Sequence, residues 1–261
     1  MKTYNSFILE NNYWKGTEIL NPIETAKLIK EHCTEFSFDD LDINRSVVKL
    51  RENDYYKINP KISTRISHNS IPNIYTLIMD NTWLKKEKYP LRSKSIICTL
   101  GGKYKDFRVI PFDGSQWGVC KKYQDIWWLW NKRTLPLGLQ YNSDILNLLK
   151  LCIKDLSNDN YNLMVKQLEN FNFEDTKKRL IEEDSYYIPY LEKLRIVLKE
   201  KDMNLSEFLH NLYLNDGGFE KLSYKELIKL PNQENEIWTD SKCLLVNPRL
   251  TSTIELELSK L

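Results

Sequence analysis

The hydrophobic periodicity of the chain changes twice, and this limits the fold more than any other feature of the sequence. Between residues 61 and 130, short β-favouring runs such as SIICTL, FRVIP and WGVC alternate with turn residues. From residue 142 to 230 the apolar residues recur at helical spacing, and after Pro231 strand-like runs return, IWTDSKCLLV and TSTIELEL. Strands interrupted by a block of helices predict an α+β fold with a large helical insertion.

The same pattern divides the 261 residues into four predicted segments. Residues 1–60 form an N-terminal helical and mixed segment, and residues 61–140 form the first part of the core. Residues 141–230 form the helical insertion, and residues 231–261 supply the C-terminal strands that complete the core. A chain of this length can bury one sizeable core or two small ones.

Local signals mark several element boundaries within these segments. Asn21 can cap a helix that starts at Pro22, and Glu24 favours the positive end of its dipole, while Asn204 with Glu207 has the spacing of a capping box. Asp113-Gly114 separates FRVIP from WGVC and predicts a tight turn between two strands. These signals predict helices that begin near residues 22 and 205, and a turn around residue 113 that separates two strands.

The charge balance excludes some classes of partner. The chain has 38 basic and 36 acidic residues, a formal net charge of +2, which gives no electrostatic case for a dedicated nucleic-acid or membrane binder. No run of about 18 apolar residues occurs, and Asn and Glu interrupt the short apolar stretch near the N-terminus. We therefore expect a protein of the cytoplasm, or of a virion if it is encoded by a phage, without a membrane partner.

The cysteines indicate neither a disulfide framework nor a metal site. Their number is odd, none forms a C-x-x-C pair, and the three histidines do not cluster with them. We expect buried, reduced thiols and no metal cofactor. The five positions are Cys33, Cys98, Cys120, Cys152 and Cys243.

No Walker A, G-x-G-x-x-G, H-E-x-x-H or G-x-S-x-G pattern occurs in the chain.

The first of three stretches that suggest chemistry is STRISHN, residues 63–69. An arginine such as Arg65 at a strand end can hold a pyrophosphate through bidentate, charge-assisted bonds. The alternatives are an ordinary surface arginine and, for His68, a local hydrogen bond.

The second stretch is YPLRSKSIICT, residues 89–99. Ser93 and Ser95 are spaced to lie on one face where a strand begins, so that a hydroxyl group can position a ribose or an amide. The alternative is a polar start to a buried strand, since serine is common at element starts.

The third stretch is QENEIWTDSKCLLV, residues 233–246. In an extended segment Glu234 and Glu236 project to the same side. One carboxylate of such a pair can stabilise positive charge on a sugar carbon, while the other accepts a proton from an incoming nucleophile. The alternative is a solvated acidic loop before a strand.

An arginine, a Ser-x-Ser strand and a late Glu-x-Glu segment, in this order, resemble the Arg–Ser–Glu class of ADP-ribosyltransferases. The run RSKSIICT followed by RVIPFDGSQWGVCKKYQDIW is also similar to phage-encoded proteins of this type. The resemblance covers roughly residues 61–130 and 233–246. It implies a split β-sheet core and NAD as the substrate, with nicotinamide released and ADP-ribose transferred to an acceptor.

The resemblance implies a role for each matching residue. Arg65 would hold the NAD phosphates, and Ser95 or its neighbour Ser93 would support the nicotinamide ribose. Glu236 would bind the ribose 2′-hydroxyl and stabilise the oxocarbenium-like transition state. Glu234 would orient or deprotonate the acceptor.

Further residues and partners follow from the same resemblance. His68 and Tyr75 are candidates to line the NAD site, with core packing as the alternative for Tyr75. The expected acceptor is a protein, and the basic segment 85–94 motivates nucleic acid as an alternative acceptor. A different alternative is a non-enzymatic, phage or virion-associated protein that uses the same fold for binding.

Overall fold

The computed structural model describes somewhat more than half of the chain. The described residues are 16–45, 50, 55–62, 80, 88–101, 106–121, 166, 167, 170–205, 207, 208, 219–231 and 235–261. The chain divides into two units. The first consists of Met1–Asn69, Glu87–Asp125 and Gly218–Leu261, and the second of Ser70–Lys86 and Ile126–Gly217. The segment boundaries predicted at residues 60, 140 and 230 stay predictions.

The first unit is a mixed α and β structure. Its strands are β1 Thr17–Leu20, β2 Ile43–Arg45, β3 Tyr55–Ile58, β4 Ile96–Leu100, β5 Phe107–Pro111, β6 Gln116–Cys120, β7 Phe219–Ser223, β8 Glu236–Thr239 and β9 Cys243–Val246. Its α-helices in the described residues are α1 Pro22–His32, α4 Tyr224–Leu227 and α5 Thr251–Leu258. The α+β fold class predicted from the sequence is therefore confirmed.

All nine strands in the described part of the chain belong to one sheet. Their order is β1-β3-β9-β5-β2-β4-β8-β6-β7, and every neighbouring pair is antiparallel. The split sheet implied by the resemblance is not the arrangement of these strands, and that expectation was wrong. A short motif shows which side chains could take part in chemistry, but it does not determine which strands pair. Strand pairing depends on contacts between distant segments.

Two apolar clusters lie on the opposite faces of this sheet. The larger cluster joins inward residues of β2 to β9, with Trp117 and Phe107 among its largest fully buried side chains. The smaller cluster packs α1 and α5 against the other face through Ile29, Ile254 and Leu244. Because paired residues on antiparallel strands point to the same side, the register assigns each side chain to one face.

Local signals in the first unit act as the sequence predicts. Glu24 donates its backbone N–H to the side chain of Asn21, and the Glu24 carboxylate accepts from the Asn21 N–H, which completes the capping box of α1. Gly114 has a φ of +73°, which a residue with a side chain adopts only with strain, so the turn between β5 and β6 favours glycine.

Two elements differ from the sequence prediction. The tail TSTIELEL, predicted as a strand from its period-two pattern, forms the helix α5, because Ile254 packs into the cluster with α1. Phe219–Ser223 lies within the block predicted to be helical, yet it forms the strand β7, which pairs with β6 along its whole length. In both places tertiary contacts override weak local preferences.

The described part of the second unit is helical. Helix α2, Phe173–Glu183, and helix α3, Ile188–Glu200, bury Leu180, Leu191 and Leu194. Lys177 on α2 forms an ion pair of 2.6 Å with Glu192 on α3. The capping box predicted at Asn204 and Glu207 is present. Among the described residues, no helix has the length and apolar character needed to cross a membrane.

Candidate functional site

Glu236 is the first residue of β8, the strand that lies between β4 and β6. It pairs with Thr99 of β4, and Trp238 pairs with Ile97 of β4 and with Gly118 of β6. The carboxylate of Glu236 and the indole of Trp238 therefore share one face of the sheet. The structure thus brings the late acidic segment directly beside the strand that follows the two predicted serines.

The segment before β4 is a turn rather than the start of a strand. Arg92–Lys94 forms a single turn of 3₁₀ helix, in which the N–H of Lys94 donates to the carbonyl of Leu91 at 3.0 Å. Ser93 lies within this turn and is 8% exposed. The strand begins only at Ile96, so the prediction that both serines alternate on a strand was wrong. A 3₁₀ turn satisfies backbone groups locally, which the serine spacing alone did not reveal.

Ser95 ends this turn and is fully buried. Its hydroxyl donates to the carbonyl of Leu91 at 2.6 Å. Along β4 it stands four residues from Thr99, the partner of Glu236, which corresponds to about 13 Å at ~3.4 Å per residue. The hydroxyl of Ser95 is therefore bonded within its own turn.

Arg92 is the side chain that reaches Glu236. Its Nη1 donates to Oε1 of Glu236 at 2.5 Å, and the side chains are only 5% and 19% exposed, respectively. The Arg92 guanidinium also lies over the ring of Trp238, with Cζ 5.2 Å from the ring centroid. A short charge-assisted bond and an aromatic contact together hold the buried guanidinium against one oxygen of a partly exposed carboxylate.

Hydrogen bonds from two aromatic side chains hold the segment 89–92 against the sheet. The indole Nε1 of Trp238 donates to the carbonyl of Pro90 at 2.8 Å. The hydroxyl of Tyr89 donates to the carbonyl of Phe219 at 3.3 Å. These two bonds tie the turn that carries Arg92 to β8 and β7, so the position of Arg92 depends on strands more than 100 residues away.

Sequence reasoning missed the contact of Arg92 with Glu236, because it considered Arg92 only as part of the basic segment 85–94 that could bind nucleic acid. Its burial and its contact with Glu236 depend on residues 144 positions apart, and no local pattern signals them. Asn235 was also missed. It is 4% exposed, its Nδ2 donates to the carbonyl of Cys120 at 3.0 Å, and none of the described residues donates to its Oδ1. The residue before Glu236 in the chain thus carries a buried amide oxygen whose hydrogen-bonding capacity the described residues do not satisfy.

The other end of β8 carries a carboxyl group of different character. Burial raises the pKa of Asp240 above its ordinary value, although Lys61, whose Nζ lies 3.6 Å from Oδ2, opposes the shift. Asp240 follows Thr239, which pairs with Ile96. Asp240 is therefore at the end of β8 remote from Glu236, and the two carboxyl groups have separate cationic partners.

Four of the predicted site residues fall outside the described part of the chain, namely Arg65, His68, Tyr75 and Glu234. Their roles stay predictions. Within the described part, no three His, Cys, Asp or Glu side chains form a group that could hold a metal ion. The prediction of buried thiols is confirmed for four cysteines in the described part of the chain, Cys33, Cys98, Cys120 and Cys243.

The second unit has a cavity of its own, with a volume of about 380 Å³. One wall is the face of α2 that includes Asp175, Arg179 and Glu183, and Gln167 lines the cavity as well. The Nε of Arg179 lies 4.0 Å from Oε2 of Glu183, too far for a hydrogen bond. The site candidates in the described part of the chain, Ser93, Ser95 and Glu236, do not line this cavity.

Comparison of the chain with protein-family models, with curated proteins and with solved structures finds no match. The candidate site is therefore defined by its own geometry: a partly exposed carboxylate on β8, a buried guanidinium that binds one of its oxygens, and the indole beneath that guanidinium.

Proposed function

We propose that this protein is an NAD-dependent mono-ADP-ribosyltransferase that transfers ADP-ribose to a macromolecular acceptor and releases nicotinamide, with Glu236 as its catalytic carboxylate. In this reaction the bond between the ribose carbon and nicotinamide breaks, and the acceptor forms a new bond to the same carbon while losing a proton. A carboxylate that binds the ribose 2′-hydroxyl stabilises the positive charge that develops on the sugar.

One observation supports this assignment above the others. Oε1 of Glu236 accepts a hydrogen bond from Arg92, whereas no described residue donates to Oε2. The side chain keeps 19% of its surface exposed. A carboxylate with one oxygen fixed and the other open can accept a hydroxyl from a bound sugar.

The activity is tested by incubating the protein with NAD and measuring nicotinamide release, and by following labelled ADP-ribose into macromolecules of a bacterial lysate. We expect the wild type to release nicotinamide and Glu236→Gln to abolish release. The glutamine retains an oxygen that can accept from Arg92, which limits the cost of leaving that buried charge without its carboxylate.

Glu220→Gln is the matched control. Glu220 also lies on a strand of this sheet, β7, and its carboxylate forms an ion pair with Lys121. Its side chain is 43% exposed, and its partner in the register of β6 and β7 is Val119. We expect this variant to retain activity. A wild type that releases no nicotinamide and labels nothing, or an active Glu236→Gln variant, would contradict the assignment.

The same site also gives support to a non-enzymatic binding protein. The hydroxyl of Ser95 and one oxygen of Glu236 are both bonded within the chain, as expected if the cluster only stabilises the sheet. The melting temperature distinguishes the two functions, because a ligand that binds the native state alone must raise it. An increase with NAD that disappears in Arg65→Gln favours the enzyme, and no increase favours the binding protein.

Nucleic acid is the weaker choice of acceptor. Within the described part of the basic segment, Lys88 is exposed but Arg92 is buried against Glu236, so the segment offers fewer surface charges than its sequence suggests. Labelling that survives nuclease and disappears with protease identifies a protein acceptor, and the reverse result identifies nucleic acid.

A further inference from the structure

The two oxygens of Glu236 have different surroundings. Oε1 receives the short hydrogen bond from Nη1 of Arg92, and Oε2 receives none from the described residues. A glutamate side chain has three rotatable bonds, so an unrestrained carboxylate would occupy several rotamers. One strong bond to a fixed donor selects a single orientation and leaves the second oxygen directed away from that donor.

Arg92 is itself held by contacts that do not involve Glu236. Its guanidinium packs over Trp238 at 5.2 Å, and the indole of Trp238 is anchored by its bond to the carbonyl of Pro90. The 3₁₀ turn Arg92–Lys94 fixes the backbone from which the side chain extends. Because the Arg92 guanidinium has little freedom to move, its hydrogen bond also restricts the orientation of the Glu236 carboxylate.

We infer that Arg92 is a positioning residue, which holds Oε1 of Glu236 so that Oε2 is presented to a ribose hydroxyl of NAD. This inference rests on the proposed transferase activity. Arg92 does not contact the substrate in this arrangement, and its effect passes through Glu236. It differs from the predicted phosphate-binding role of Arg65, which concerns another part of the dinucleotide.

The experiment compares Arg92→Met and Arg92→Lys with the wild type in the nicotinamide-release assay. Methionine leaves an apolar side chain of similar length beside Trp238 but removes the hydrogen bond to Glu236. Because a displacement of about 1 Å at a reacting group lowers turnover by roughly 10²-fold, we expect kcat to fall by about that factor with little change in KM. Lysine keeps the charge without the planar fork, so we expect an intermediate kcat.

Arg108→Met is the matched control. Arg108 is likewise a buried arginine of this sheet, 8% exposed, with its Cζ 5.2 Å from the ring of Phe36 and its Nε 3.0 Å from Asp42. It is remote from Glu236 in the strand order, on β5. We expect this variant to lose stability comparably to Arg92→Met and to keep a kcat near that of the wild type.

The outcomes separate the two claims. If Glu236→Gln is inactive while Arg92→Met and Arg92→Lys both have the wild-type kcat, the positioning role is wrong and the transferase activity stands. If the wild type is inactive, both are wrong. Should Arg92→Met fail to fold, Arg92→Lys decides alone: a reduced kcat at unchanged KM supports the role, and a wild-type kcat overturns it.

Discussion

Gly118 of β6 lies directly against the indole ring of Trp238 of β8. A Cβ atom added at Gly118 would be 2.1 Å from Cε2 and 2.3 Å from Cζ2 of that ring. The two residues are paired across the strands, so they share a face of the sheet. The flat side of the indole occupies the space that any side chain at position 118 would need, and the Arg92 guanidinium lies against the same ring.

Gly118→Ala should therefore destabilise the protein. A methyl group at this position forces the indole to move or the strands to separate, and overpacking of this kind costs about 1 to 3 kcal/mol of unfolding free energy. Chemical denaturation followed by tryptophan fluorescence measures the change. Gly114→Ala is the control for backbone effects, because nothing lies within 4 Å of its added Cβ and only its positive φ opposes the alanine. A Gly118→Ala protein as stable as the wild type would contradict the packing described here.

Trp238→Phe should lower both stability and, under the proposed function, turnover. The variant loses the hydrogen bond to the carbonyl of Pro90, leaves that buried acceptor without a partner, and costs about 1 to 3 kcal/mol. It also removes the ring surface that fixes Arg92. Denaturation and nicotinamide release are the two measurements.

The control for this substitution is Trp117→Phe. Trp117 is also fully buried and donates its Nε1 to the hydroxyl of Ser115 at 3.0 Å, but as the neighbour of Gly118 it points to the opposite face. We expect Trp117→Phe to reduce stability and to leave turnover unchanged. Equal losses of turnover in the two variants would mean that the effect on Glu236 is only general destabilisation.

Stability should fall in alkaline solution because of buried thiols. Burial, with a smaller contribution from the charge of Asp113, raises the pKa of Cys33 from 9.0 to about 12, and burial also raises the pKa of Cys243. The folded chain keeps a proton that the unfolded chain releases above pH 9, so rising pH favours unfolding. At pH 10, Cys33 alone should account for a loss on the order of 1 kcal/mol relative to pH 7.5.

The measurement compares urea denaturation of the wild type and Cys33→Ala at pH 7.5 and pH 10, with reductant present. We expect the variant to be less stable at pH 7.5, because it leaves a small cavity. Its further loss at pH 10 should be smaller than that of the wild type. Identical pH dependence in the two proteins would show that Cys33 ionises normally in the folded state.

Asp113 should stabilise the junction between α1 and the turn from β5 to β6. Its carboxylate accepts from the N–H of Glu35 at 3.0 Å and from the hydroxyl of Thr34 at 2.9 Å. Burial alone would raise the pKa of Asp113, but these hydrogen bonds lower it below its ordinary value. The stabilisation is therefore present above pH 4 and is lost as the pH falls through the lowered pKa.

Asp113→Ala should cost roughly 1 kcal/mol at pH 7, and the difference from the wild type should shrink below about pH 3. Denaturation midpoints at both pH values measure this. Asp39→Ala, at an exposed loop position, serves as the comparison and should change stability little at either pH. A difference between Asp113→Ala and the wild type that persists at low pH would exclude the charge of Asp113 as its source.

Features that depend on neighbours in the chain could be predicted from the sequence. The N-cap at Asn21, the strands that contain SIICTL, FRVIP and WGVC, and the turn at Gly114 all agree with the structure. Each depends on a few adjacent residues whose backbone preferences and hydrogen bonds point the same way. The α+β class follows from the same local patterns.

Features that depend on distant segments could not be predicted. Whether TSTIELEL forms a helix or a strand is decided by the packing of Ile254 beside α1, and β7 exists because β6 offers it a partner. The position of β8 between β4 and β6 brings Glu236 within 2.5 Å of Arg92, although 144 residues separate them. The sequence singled out Glu236 as a site candidate from its spacing with Glu234. Only the tertiary structure decided that Arg92 is its partner, because hydrophobic burial and strand pairing act between surfaces that no local sequence pattern shows.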